Sequence, residues 1–407
     1  MAVGEGEGDH HTPLLHSTLP SPSTSIESSL KLSFKRTGNI WTAFAHIITA
    51  VIGSGVLSLA WSMAQLGWIA GPLSMLFFAS ITLISAFMVC NCYRSPDPEN
   101  GPARNHSYLE AVRTILGKRN ASLCGILLRL SMFKSGIVFT ITSGICGNTW
   151  FGKGDGYIKG DIVGVQTSTA TQKVLLVAQA LGDIAFAYPF SIILIDIQNT
   201  LKSPPSEKVT MNNASMMATC ITTIFYLLCG GFGYAAFGNS APGNLLTGFG
   251  FYEPYWLIDF ANMCVAVHLV GAYQVLSQPL FAMVERWAAE KFPSSGFVND
   301  NFVLKLPLLP AFRSNLFRLC FRTVYVASTT AVAVIFPYFN QVLGVAGTMN
   351  FWPLIVYFPV EMYIVQKNIG RWTRKWIVLH IYSSICLLVT MFALVGSIEG
   401  LITAKFS

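Results

Sequence analysis

The chain has 407 residues, 53% of them apolar and only 11% charged, with a formal net charge of +7. An ordinary soluble domain carries about a quarter of its residues as charge, so these proportions exclude a water-soluble globule. The apolar residues gather into long uninterrupted blocks. A bilayer core about 30 Å thick takes ~20 residues of helix, and lipid tolerates no open sheet edge, so the composition predicts an all-α integral membrane bundle.

Residues 1–38 are rich in Ser, Thr, Pro and Gly and lack a basic start followed by an apolar run. They read as a disordered cytosolic tail, not a signal peptide. The membrane domain is expected over residues 39–402, leaving 403–407 as a short tail. It contains nine blocks able to span, near residues 39–64, 69–93, 123–146, 174–197, 213–237, 255–287, 320–343, 345–366 and 376–402.

The first block contains Ala50-Val51-Ile52-Gly53-Ser54-Gly55-Val56-Leu57. Each glycine weakens a helix by ~1 kcal/mol relative to alanine, and two within three residues invite unwinding. The free amides at the start of a resumed helix suit a carboxylate. The same small residues also suit close helix packing, and the string alone leaves both readings open. His46 lies two turns before this stretch. The third block holds Arg129 and Lys134, five positions and therefore about 140° apart around a helix, so one of them snorkels or faces a cavity and both cannot share one acidic partner.

The fourth block carries a second break, Gly182-Asp183-Ile184-Ala185-Phe186-Ala187-Tyr188-Pro189. A charge at mid-span costs ~3 kcal/mol or more and belongs against a cavity or a partner, which makes Asp183 the leading functional candidate. Its alternative role is to cap the broken helix. Two interrupted helices facing each other near the midplane are the pattern of secondary transporters built on inverted repeats. His268, in the sixth block, can relay protons or serve as a packed hydrogen-bond donor. Asp196, Asp259, Glu285 and Glu361 lie near block ends and read as boundary residues.

With the tail placed inside, alternate loops hold twenty basic residues against four on the other side, which puts the N-terminus in the cytosol and the C-terminus outside. Membrane topology thus accounts for the positive charge, and no nucleic-acid partner is called for. The nine cysteines lack the spacing of a zinc site or redox motif. No paired acids, histidine clusters or nucleophile-base spacing point to an enzyme.

Several long strings resemble the plant-type amino acid permeases of the amino acid and auxin permease family. They are Lys35-Arg36-Thr37-Gly38, the stretch from Ala45 through Ser54 to Trp61, the stretch from Gln179 through Asp183 to Tyr188, Pro242-Gly243-Asn244-Leu245-Leu246, and Trp352-Pro353-Leu354 with the run from Tyr357 to Tyr363. The resemblance implies a plasma-membrane symporter that imports amino acids with protons and uses no metal or organic cofactor. It further implies a broken-helix fold of two inverted five-helix repeats plus a final helix. By that likeness the substrate carboxylate lies on the amides of Ile52, Gly53, Ser54 and Gly55, and the amino group faces Asp183 in a pocket lined by Phe186 and Tyr188. His46, Asp183 and His268 become candidates for proton coupling. Relatives of this kind carry two further spans where this chain has only residues 147–157. The first repeat is then incomplete, and a truncated, non-transporting or regulatory membrane protein, assembled with itself or with a full-length relative, stands as the alternative.

Overall fold

A computed structural model of the chain describes residues 36–145, 159–245, 255–304 and 312–406. Gly38–Ser407 form one contact unit. The expected tail, up to residue 35, and the shortened loop at 147–157 lie outside the described residues.

Helix α1, Ile40–Val51, starts on a reciprocal cap: Thr42 N donates to Asn39 Oδ1 (3.0 Å) and Asn39 N donates to Thr42 Oγ1 (2.7 Å). After an interruption at Ile52 and Gly53, a 3-10 turn, Ser54–Ser58, leads into α2, Leu59–Cys90. Within α2 the chain doubles back at Gly67, whose φ of 82° belongs to the region that favours glycine. A Cβ on Gly71 would lie 3.5 Å from Met63 Cα, where a continuous helix would hold positions eight apart at ~12 Å. The first two blocks are therefore joined by a tight reversal. The loop before the helix Ala170–Ala187 and that helix's first turn cover it: Val165 N donates to Ala64 O (2.8 Å), and Lys173 Nζ donates to the carbonyls of Gln65, Val163 and Val165.

The stretch after α2, expected as a plain loop, forms a hairpin of β1, Arg94–Ser95, and β2, Ala103–Arg104, followed by α3, Tyr108–Leu116. Its anchor is Arg94, whose Nη2 lies 2.7 Å from Glu207 Oε1 with both side chains largely buried. Helix α4 is Lys118–Ile145, and α5, Ala170–Ala187, begins on the Thr169 cap. A 3-10 turn, Ser191–Ile193, and the short α6, Leu194–Gln198, follow; α7 is Glu207–Phe237 and α8 is Tyr255–Lys291. A small extramembrane unit comprises α9, Gly296–Asn299, β3, Asn301–Leu304, and β4, Phe312–Asn315. The last part contains α10, Leu316–Ile335; α11, Phe339–Asn350; a π turn, Phe351–Tyr357; α12, Phe358–Gln366; and α13, Arg374–Phe406.

One expected boundary is corrected. The division placed at Gly344 falls instead at residues 336–338, because Pro337 has no N–H to give and drives Phe336 out of the helical region (φ −127°, ψ 70°). Gly344 lies inside α11. At the other end α13 runs on to Phe406, with no glycine or proline after Leu401 to stop it.

Seven stretches among the described residues are long and apolar enough to cross a membrane. They pack around α5, which touches α2, α11 and α13, while α7 covers α1 and α2, and α4 lies against α8, α10 and α11. The largest buried apolar cluster links α1, α2, α5 and α7. A second one gathers Leu57, Val138, Ile141 and Leu343, with Phe186 packed against it.

Candidate functional site

Both predicted interruptions are present, and the fold sets them against each other. At the first, Ile52 is extended (φ −75°, ψ 96°) and Gly53 is open backbone (φ −141°, ψ −149°) before the chain turns again at Ser54. At the second, α5 stops at Ala187 and resumes at Ser191, with Pro189 between them unable to continue the ladder. A Cβ on Gly55 would lie 2.8 Å from Ala187 Cα, so only glycine lets the two breaks approach this closely. Beside Gly53, in contrast, an added Cβ would meet nothing within 4 Å, which leaves room at the first break.

One side chain ties the breaks together. Tyr226 of α7 is fully buried, and its hydroxyl lies 2.7 Å from Val51 O and 3.0 Å from Ala187 O, the terminal carbonyls of α1 and α5. Carbonyls at a helix end have no acceptor role left within the helix, and burial would strand them without such a contact. Tyr188 packs edge-on against Tyr226, ring centroids 5.2 Å apart. Nothing in the apolar run around Tyr226 marks it as the bridge, apart from the general need of a buried tyrosine hydroxyl for a partner.

Asp183 is wholly buried, and neither carboxylate oxygen has a hydrogen-bond partner. A Cβ on Gly344 of α11 would sit 3.0 Å from Asp183 Oδ1 and 2.7 Å from Ser397 Oγ of α13. Gly182 and Gly347 are equally confined: a Cβ on Gly347 would come within 2.8 Å of Phe186 N. Glycines on α5 and α11 thus bring the acid against two neighbouring helices. Ser54 and Ser191, one at each interruption, are also completely buried with hydroxyls that lack a partner. Together with Asp183 they put buried polar groups beside both interruptions.

The remaining candidates are placed elsewhere. His46 is exposed on α1, to one side of the buried stripe of Ala43, Ile47 and Val51. His268 is half-buried on α8, which packs on α4, and among the described contacts neither histidine bonds to a break. Arg129 and Lys134 diverge, as their spacing required. Arg129 Nε donates back to Gly125 O (2.9 Å), whereas Lys134 Nζ donates to Ala346 O of α11. Of the boundary acids, Glu285 pairs with Arg318 and Arg322, and Glu361 lies 3.5 Å from His380.

Apolar helices long enough to cross a bilayer, two of them broken against each other in the interior, define a polytopic membrane transporter of the broken-helix kind. The chain belongs to the family of transmembrane amino acid transporter proteins, whose model matches residues 36–152 and 151–403. It is 48% identical to "Probable amino acid permease 7" of Arabidopsis thaliana, with 91% of this chain and 94% of the relative covered. To Amino acid permease 3 of the same plant it is 45% identical over 90% of this chain and 91% of the relative. These relatives are named as permeases, which are transporters and not enzymes. The first of these alignments spans 441 residues but takes in 91% of 407, about 370, so about 70 positions have no residue of this chain. The two stretches matched by the family model meet at residues 151–152.

Proposed function

We propose that the chain is an amino acid permease of the plasma membrane that moves its substrate together with protons, with its N-terminus in the cytosol and its C-terminus outside. The observation that carries this reading is the pair of abutting helix interruptions with the buried, unpartnered Asp183 one turn before the second. An amino acid offers both charges such a place requires. Its carboxylate suits the amides from Ile52 to Gly55 at the start of the resumed helix, and its ammonium group suits the carbonyl end of α5. In this reading Phe186 and Tyr188 bound the side chain of the substrate, Phe186 from the side of Leu57 and Leu343 and Tyr188 from the side of Tyr226.

Proton coupling rests on Asp183. A carboxylate buried without a donor has nothing to offset its desolvation, and a proton or the substrate ammonium supplies what is missing. His46 and His268 are secondary candidates, acting on proton entry at a distance from the breaks. The alignment positions without a residue here, and the junction of the matched stretches at 151–152, support the absence of two spans from the first repeat. The loss of an even number keeps the orientation of every later helix.

The test is uptake of labelled amino acids into a permease-deficient cell expressing the full chain, with the proton gradient intact and then collapsed by a protonophore. Uptake is expected to rise as the external pH is lowered and to fall to background without the gradient. Uptake that ignores the gradient would remove the coupling, and none under any condition would favour the non-transporting alternative.

A further inference from the structure

Away from the helix breaks, a cleft of about 790 Å³ opens between α4 and α8, at the end where α3 turns into α4. Three cations line it, Arg113, Lys118 and Arg129, and among the described residues no acidic one does. The acids nearest in sequence are already engaged: Glu110 accepts from His106 N (2.7 Å), and Glu285 holds Arg318 and Arg322. Among the described residues none of the three cleft cations forms an ion pair.

The position of Arg129 is informative. Its Cα is eleven residues, or about 16 Å of helix rise, beyond Lys118, well into the span. Its side chain nevertheless turns back toward the basic end, Nε bonded to Gly125 O, and the missing Cβ of Gly125 leaves the guanidinium room to lie along the helix. This is the snorkelling posture that carries a mid-span cation to the depth of lipid headgroups. The walls are of the opposite character. Leu109, Met283 and Trp287 face the cleft, Trp287 is 58% exposed, and Leu123, Ile126 and Leu130 lie bare on the same helix, α4. Indole rings at the end of a spanning helix favour the interface between headgroups and acyl chains.

We infer that this cleft is a binding site for an anionic phospholipid, with the headgroup phosphate held by Arg113, Lys118 and Arg129 and an acyl chain along the apolar flank of α4. A free phosphate shares the anionic chemistry but makes no use of that flank. The end concerned is the one that the distribution of basic residues assigns to the cytosol, whose leaflet carries the anionic lipids. The inference rests on membrane embedding and not on the transport reading, so the two fail separately.

The experiment measures, by native mass spectrometry, which lipid the full chain retains from phosphatidylcholine vesicles doped with phosphatidylinositol 4-phosphate. The doped lipid is expected to be retained over phosphatidylcholine. Arg113→Gln, at an exposed side chain that among the described residues makes no hydrogen bond or ion pair, is expected to lower retention about fivefold, and Arg113→Gln with Arg129→Gln about 25-fold. Arg374→Gln with Lys375→Gln, outside the cleft, is the control for general surface charge and is expected to change nothing. Equal retention of both lipids, unchanged retention in the cleft variants, or an equal loss in the control would overturn the site. Displacement of the lipid by millimolar inorganic phosphate would show a free-anion site and overturn the lipid assignment.

Discussion

Asp183 is wholly buried one turn before the second break. A carboxyl in the middle of an apolar span breaks the composition of that span, so Asp183 could be read directly. The structure adds that both its oxygens are buried without a donor. Asp183→Asn removes the charge and keeps the shape, and it should abolish gradient-driven uptake while the protein still reaches the membrane, as judged by surface labelling beside the uptake assay. Tyr226, in contrast, gains its role from partners 175 and 39 positions away. Tyr226→Phe should leave Val51 O and Ala187 O without their donor and cost about 1–3 kcal/mol, seen as a lower unfolding temperature in detergent together with weaker uptake.

At the scale of elements, glycine decides how closely helices approach. The sequence singled out Gly53 and Gly55 and left open whether they unwind the helix or pack it. In the structure Gly53 sits at the interruption with open space beside it, and Gly55 lies against Ala187, so each of the two readings holds for one glycine. Gly344 and Gly347 carry no comparable signal in the sequence. Both sit within α11 and pack on α5. Gly347→Ala should overpack this contact and destabilise the protein by about 1–3 kcal/mol. Gly271→Ala, where an added Cβ meets nothing within 4 Å, should be tolerated in the same thermal assay. Pro337, not Gly344, ends the preceding helix, because a missing N–H interrupts the ladder whereas a glycine within a packed helix need not.

For the whole molecule, alternating access in a five-plus-five repeat requires a scaffold against which the broken helices move. Restoring two spans within residues 147–157 is expected to raise proton-coupled uptake well above that of this chain at matched surface expression. Equal uptake would show that the two further spans are not needed for transport. Membrane embedding, helical class and the position of both breaks were legible in the sequence, since they follow from local properties: runs of apolar residues, glycine pairs, a proline and one charge out of place. The hairpin anchored by Arg94 and Glu207 was not, because an ion pair 113 residues apart leaves no mark on either segment. Nor was the meeting of Gly55 with Ala187, the hydroxyl of Tyr226 spanning two helix ends, or the enclosure of Asp183 by Gly344. Those depend on which helices become neighbours, and only packing in three dimensions decides that.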